Sequence, residues 1–213
     1  MRFLCLHGAG TSGEIFEIQS GGLSHTLSDK GHHFEYIDGR VPAPVEPELA
    51  GICEGPFYNH YSRDGPPGPG LSQAIAHVMQ IIEKKGPFDA VMGFSQGAAL
   101  AFSLLVEHAK THSTPLFKAA VFICGAPPFE SSGQEAIKLQ PGEKYPLSIP
   151  TTSIVGKQDY LYESSMLLYS LCDPAKAEFY DHGSRHLIPF DMKNTNAMLA
   201  AIERTIERAE RGE

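Results

Sequence analysis

The sequence predicts an α/β fold, with about six strands in a mostly parallel sheet, helices on both faces and at most a minimal lid. Short apolar runs alternate with longer stretches of helical periodicity, the pattern left by successive βαβ units. The 213 residues match one domain, 1–213, and a hydrophobic content of 42% can fill a core of that size. Neither an internal repeat nor a linker-like change of composition divides the chain.

Arg2–Leu6, His33–Asp38, Asp89–Gly93, Ala119–Cys124, Thr151–Val155 and Ala177–Tyr180 read as strands, most of them rich in Val, Ile and Phe. Leu71, Ile75, Val78 and Ile82 recur at helical spacing, as do Leu199, Ile202, Ile206 and Ala209. Gln96 to Glu107 is apolar on nearly all sides, as expected of a helix pressed against the sheet. The stretch Glu203 to Arg211, with Glu207 and Arg211 at i,i+4, reads as a solvated helix end. Pro42–Gly70 and Ala126–Pro150 are proline-rich and read as long loops, which inside a compact domain are usually functional or disordered.

Composition excludes several classes. Lys+Arg 17 against Asp+Glu 25 gives a net charge of −8, which repels a phosphate backbone and makes nucleic acid an unexpected partner. Cys5, Cys53, Cys124 and Cys172 have no Cys-x-x-Cys spacing, so neither a zinc cluster nor a disulfide framework is expected and they read as buried thiols. The N-terminus reaches His7-Gly8 too soon for a signal-peptide apolar region, and Arg211-Gly212-Glu213 carries no lipidation motif, so a cytoplasmic protein is expected. Ala90–Val106 is uncharged over nearly the length of a membrane span, but Gly93, Ser95, Gln96 and Gly97 within it fit a buried strand, turn and helix better.

Gly93-Phe94-Ser95-Gln96-Gly97 is a Gly-x-Ser-x-Gly pattern directly after a predicted strand and before a predicted helix, the context of a nucleophile elbow. The pattern alone is moderately specific, and a glycine-rich turn with a helix-capping serine is the plain alternative. A serine needs a base held by a third group, and in α/β-hydrolases the order is serine, acid, histidine after successive late strands. Asp159 follows the strand Thr151–Val155 and His186 follows Ala177–Tyr180, so both order and placement fit. His182 competes as the base, and Asp181 and Asp191 compete as the acid. Asp181 abuts the sheet, however, and Asp191 stands where it would cap the last helix.

Acyl transfer also needs donors aimed at the oxyanion, and the Gln96 amide at the helix start and the Ala9 amide in the first loop are the candidates. Gly8, Gly10 and Gly13 also match Gly-x-Gly-x-x-Gly, with Asp38 downstream, which keeps a nucleotide-binding alternative open. That alternative leaves the elbow, Asp159 and His186 unexplained. Phe57, Tyr58 and Tyr61 in the first long loop and Phe129 in the second should overhang the carboxyl ends of the strands, where ligands bind. They are expected to line an apolar acyl pocket; the alternative is that each anchors its own loop.

Phe3-Leu4-Cys5-Leu6-His7-Gly8, Phe88 to Ala98, Gly156-Lys157-Gln158-Asp159 and Gly183-Ser184-Arg185-His186 together resemble the fungal FSH-type serine hydrolases over nearly the whole chain. The resemblance implies an α/β-hydrolase fold and a triad of Ser95, Asp159 and His186. It places the oxyanion donors at Ala9 and Gln96, where the loop sequence Ala9-Gly10-Thr11-Ser12 leaves open which amide points inward. The family includes carboxylesterases and polyketide-releasing thioesterases of biosynthetic clusters. The implied substrate is therefore an acyl ester or thioester, with an acyl carrier protein as the candidate partner. No metal, other cofactor or membrane is called for. Arg63, Lys157 and Arg185 are the cations available to an acidic carrier, and a noncatalytic binding protein of the same fold is the alternative of another class.

Overall fold

The computed structural model describes residues 1–140 and 142–213. The first half of the chain runs β1 (Arg2–Leu6), α1 (Gly13–Gln19), α2 (Gly21–Ser28), β2 (His33–Ile37), β3 (Val41–Pro42), β4 (Tyr58–Asn59) and α3 (Pro69–Lys85). The second half runs β5 (Ala90–Phe94), α4 (Gln96–Thr111), β6 (Ala119–Ile123), β7 (Thr151–Val155), α5 (Tyr162–Ser170), β8 (Ala177–Asp181) and α6 (Met192–Glu210). Six strands form one parallel sheet in the order β2-β1-β5-β6-β7-β8. The expected strands are all present, with ends displaced by at most one residue.

Alternation along each strand sends neighbouring side chains to opposite faces and so creates two cores. Leu4, Leu6, Val91, Ala120 and Phe122 pack beneath α3, α4 and α5. Phe3, Cys5, Met92, Val121 and Ile123 pack beneath α1, α2 and α6. α4 is buried along its first eleven residues, Gln96 to Val106, which accounts for the long uncharged stretch. Among the described residues no helix is long and apolar enough to cross a membrane.

The helices α1, α2 and α5 go beyond the sequence-based expectation. α1 starts where the Ser12 hydroxyl accepts the Ile15 amide at 3.2 Å and the Asp38 carboxylate accepts the Gly13 amide at 2.8 Å. Asp38 is thus spent on an internal cap. Gly10 sits at φ +68°, and its amide donates to Tyr58 O and Asn59 Oδ1. The glycine-rich first loop is used for close packing, which removes the basis of the nucleotide alternative.

Of the two proline-rich segments, the first holds more regular structure than expected. β3 and β4 pair antiparallel within the first, and α3 begins at Pro69, inside the span read as loop. The Gly68 amide donates to Gly133 O at 2.9 Å, and a Cβ on Gly133 would lie 2.2 Å from Gly68 O, so the two long loops are joined directly. That junction fixes one wall of the cleft at the carboxyl edge of the sheet. All four cysteines are free thiols; Cys53 is only partly buried.

Candidate active site

Ser95 occupies the turn between β5 and α4 at φ 54°, ψ −115°, a conformation that costs a residue with a Cβ. The turn closes only because its flanks are glycine. A Cβ on Gly93 would lie 2.5 Å from the Ala98 nitrogen, and one on Gly97 would lie 2.1 Å from Leu6 O. The Ser95 amide donates to Ile123 O at 2.9 Å, so the sheet itself anchors the strained residue.

His186 Nε2 lies 2.9 Å from Ser95 Oγ, and His186 Nδ1 lies 2.8 Å from Asp159 Oδ2. The three expected residues therefore meet in one hydrogen-bonded chain, with the Asp159 and His186 side chains buried. The second Asp159 oxygen accepts the Leu161 amide at 2.8 Å. Burial pushes the Asp159 carboxyl up, but the hydrogen bonds from His186 and Leu161, the His186 charge and the Cys124 thiol outweigh it and hold it below its ordinary value. The His186 ring packs between Phe94 and Tyr160, each with its centroid 4.9 Å away.

The competing residues have other partners. Asp181 Oδ1 accepts the amides of Lys157 at 3.0 Å and Gly183 at 2.7 Å. Asp191 caps α6 by accepting the Asn194 amide. The buried His182 lies 3.6 Å from the Cys124 sulfur and makes no hydrogen bond to Ser95.

The Ala9 and Gln96 amides make no protein hydrogen bond among the described residues, and both residues border the space above Ser95. The peptide plane carrying the Ala9 amide is fixed from behind. Gly8 O receives the Thr11 hydroxyl at 2.7 Å and His7 Nδ1 at 2.6 Å. Because His7 Nε2 accepts the Gly39 amide at 2.8 Å, the His7 proton resides on Nδ1. Burial keeps His7 neutral by lowering its pKa, and it lowers that of His60, stacked at 4.4 Å, still further. The Gln96 side chain accepts the His60 amide at 2.8 Å and donates to Tyr61 O at 2.9 Å, tying the elbow to the first long loop. Sequence reasoning missed this support, because its members come from three separated segments.

Two cavities meet at Ser95 and Ala9. The first, of about 340 Å³, has apolar walls from Ile15, Ile18, Leu49, Ile52, Leu187 and Phe190 and is also bordered by His186. The second, of about 260 Å³, is bordered by Tyr61, Arg63, Phe129 and Tyr160. Tyr61 and Phe129 thus stand where the sequence placed them. Phe57 and Tyr58 border neither cavity: Phe57 lies against Gly55, and the Tyr58 backbone bridges Gly10 and Thr11. Arg63, Lys157 and Arg185, the three cations expected at this face, are all exposed, and Arg63 is paired with Glu46 across the two cavities.

The model of the serine hydrolase (FSH1) family matches residues 1–198. The chain belongs to the FSH1 serine hydrolase family. Esterase FPY3 of Fusarium mangiferae is 32% identical, covering 98% of each chain, and hydrolase phiM of a fungal species is 31% identical over 95% of this chain and 94% of its own. Among solved structures, a Mesorhizobium loti carboxylesterase superposes with a TM-score of 0.63 at 16% identity, covering 95% of this chain and 88% of its own. ClbQ of the colibactin NRPS/PKS pathway gives 0.61 at 14% identity, covering 100% and 99%. The fold of this FSH1 member is that of the α/β-hydrolases, and the protein is a serine hydrolase.

Proposed function

We propose that this FSH1 hydrolase cleaves esters or thioesters of apolar acyl groups through a covalent acyl-enzyme on Ser95. The observation that carries this is the continuous hydrogen-bonded chain Ser95–His186–Asp159, at 2.9 and 2.8 Å, beneath two cavities. His186 takes the hydroxyl proton as Ser95 Oγ attacks the carbonyl carbon. Asp159 fixes the tautomer and stabilises the imidazolium. The Ala9 and Gln96 amides receive the oxyanion, helped by the N-terminal dipole of α4. His186 then gives its proton to the departing alcohol or thiol. A water, deprotonated by His186, attacks the acyl-enzyme and releases the acid.

The wall of Ile15, Ile18, Leu49, Ile52, Leu187 and Phe190 favours methylenes, each stabilised by about 0.8 kcal/mol when buried. An acyl chain carried as a thioester on an acyl carrier protein fits this site, because a narrow arm reaches Ser95 from the open carboxyl edge of the sheet. A small-ester carboxylesterase is the second reading, favoured by the esterase names of the relatives at about 30% identity.

Fluorophosphonate labelling should modify Ser95 in the native protein and nothing in Ser95→Ala, with turnover lost by a factor of about 10⁴–10⁶. Retained turnover in that variant would refute the mechanism. A C2 to C10 series of p-nitrophenyl esters and pantetheine thioesters should show kcat/KM rising with length and favouring thioesters. A steady fall with length and no thioester preference would select the small-ester reading.

A further inference from the structure

Beside the carboxylate of Asp159 lies a thiol that the mechanism above does not use. Cys124 follows β6 at φ +48°, and besides Ser95 it is the non-glycine residue with positive φ among those described. Its sulfur is fully buried and lies within 4.8 Å of both the Asp159 carboxylate and His186. It is also 3.6 Å from His182 Nε2 and 3.8 Å from Leu187 O.

The tautomer of His182 sets the direction of these contacts. Its Nδ1 accepts the Ser184 amide at 3.2 Å, so in the neutral ring the proton sits on Nε2 and points at the Cys124 sulfur. Burial lowers the His182 pKa and keeps the ring neutral. The ring fits because residue 156 is glycine: a Cβ there would lie 2.5 Å from His182 Cε1. Burial, and then the Asp159 charge, push the Cys124 thiol well up, so it remains S–H, a donor. Two acceptors compete for this one proton: Leu187 O, which the thiol meets at 3.8 Å, and the ionised Asp159 carboxylate, within 4.8 Å and the stronger acceptor.

We propose that Cys124 and His182 form a positioning pair for the catalytic acid, in which His182 Nε2–H donates to the Cys124 sulfur and the Cys124 S–H donates to Asp159. The pair holds the Asp159 carboxylate in line with His186 Nδ1 and draws part of its negative charge away from the imidazolium. This rests on the role proposed for Asp159. Neither residue touches substrate, and both act through Asp159 alone.

The pH profile separates positioning from space-filling. The groups facing His186 and Asp159 are Cys124 from the end of β6, Tyr160 beside Asp159, Asp181 and His182 at the end of β8, and Glu46, Glu48 and Arg63 across the cavities. Of these groups only Cys124 and His182 are substituted in the variants below. Cys124→Ala should lower kcat roughly tenfold, the factor for one hydrogen bond to a charged group, with KM unchanged. It should also move the acid limb of kcat/KM to higher pH, because an uncompensated carboxylate holds the imidazolium proton more tightly.

Cys124→Ser should restore both values. His182→Leu should behave like Cys124→Ala, and His182→Gln, which keeps a donor and an acceptor, should not. Because the two residues act in series, the double variant Cys124→Ala/His182→Leu should be no slower than either single one. The downfield NMR resonance of the His186 Nδ1 proton should shift in Cys124→Ala and return in Cys124→Ser. This readout needs no turnover, so it fails independently of the hydrolase mechanism. If Cys124→Ala does not fold, Cys124→Ser against His182→Leu carries the same comparison. An unmoved acid limb and resonance, or a serine variant no better than alanine, would overturn the proposal.

Discussion

Replacing Ser95 by glycine should yield a more stable protein than replacing it by alanine. Both substitutions remove the hydroxyl and its bond to His186, so their difference isolates the presence of a Cβ at φ 54°, ψ −115°. Such a conformation costs a residue other than glycine about 1–3 kcal/mol. The greater freedom of glycine in the unfolded chain returns about 0.5–1 kcal/mol of that. The balance favours S95G by about 1 kcal/mol, or roughly 2–4 °C in Tm for a chain of this size. Thermal and urea unfolding of the two inactive variants in one buffer measures it directly. A glycine variant equal to or less stable than the alanine variant would refute the claim that the turn holds strain at Ser95.

Asp159→Asn should lower kcat/KM by about 10⁴ while Asp181→Asn stays near the parent value, because Asp181 serves only the Lys157 and Gly183 amides; steady-state kinetics on a p-nitrophenyl ester decides it, and the reverse order would reassign the acid. Gln96→Ala should destabilise the fold by about 2 kcal/mol or more, since it orphans the buried His60 amide and Tyr61 carbonyl, and urea unfolding reads the loss. Stability should fall on acidification, beginning near the ordinary histidine value of 6.5. His7, His60 and His182 have folded values below that, so the unfolded state takes up protons first and their contribution, full above 6.5, is lost as pH falls. Asp159, also depressed, adds a further loss at lower pH. Urea midpoints between pH 8 and 5 test this, and a midpoint that rose toward pH 5 would contradict it.

The sheet was legible because each strand is a short apolar run with loop chemistry at both ends, and β1 and β7 match their expected spans residue for residue. α1 was not, because seven residues hold fewer than two turns and give the 3.6-residue period too little length to appear. Ser95, Asp159 and His186 were legible for a different reason. Each stands just beyond a strand, and chain order then fixes which can meet. Phe57 and Tyr58 show the limit of that logic. Their loop does reach the carboxyl edge of the sheet, but the β3–β4 pairing determines which side chains face inward, and Ile52, from the same loop, takes the place at the cavity.

Ser95 and Cys124 are consecutive at that edge. Phe94 of β5 stands opposite Ile123 of β6, and the next residue on each strand carries the positive φ. The ladder continues through both: the Ser95 amide reaches Ile123 O and the Cys124 amide reaches Ile154 O, each at 2.9 Å. Backbone strain persists where the surroundings over-determine it, and here the same parallel ladder restrains both turns. One turn raises the hydroxyl toward His186 and the other sets a thiol against Asp159, so the two ends of the hydrogen-bonded chain are registered by adjacent strands. The glycines on either side of Ser95 announced the first turn in the sequence. Cys124 has only Gly125 beside it, and its partners Asp159 and His182 lie far along the chain, so the second turn became visible only when β6, β7 and β8 were brought side by side.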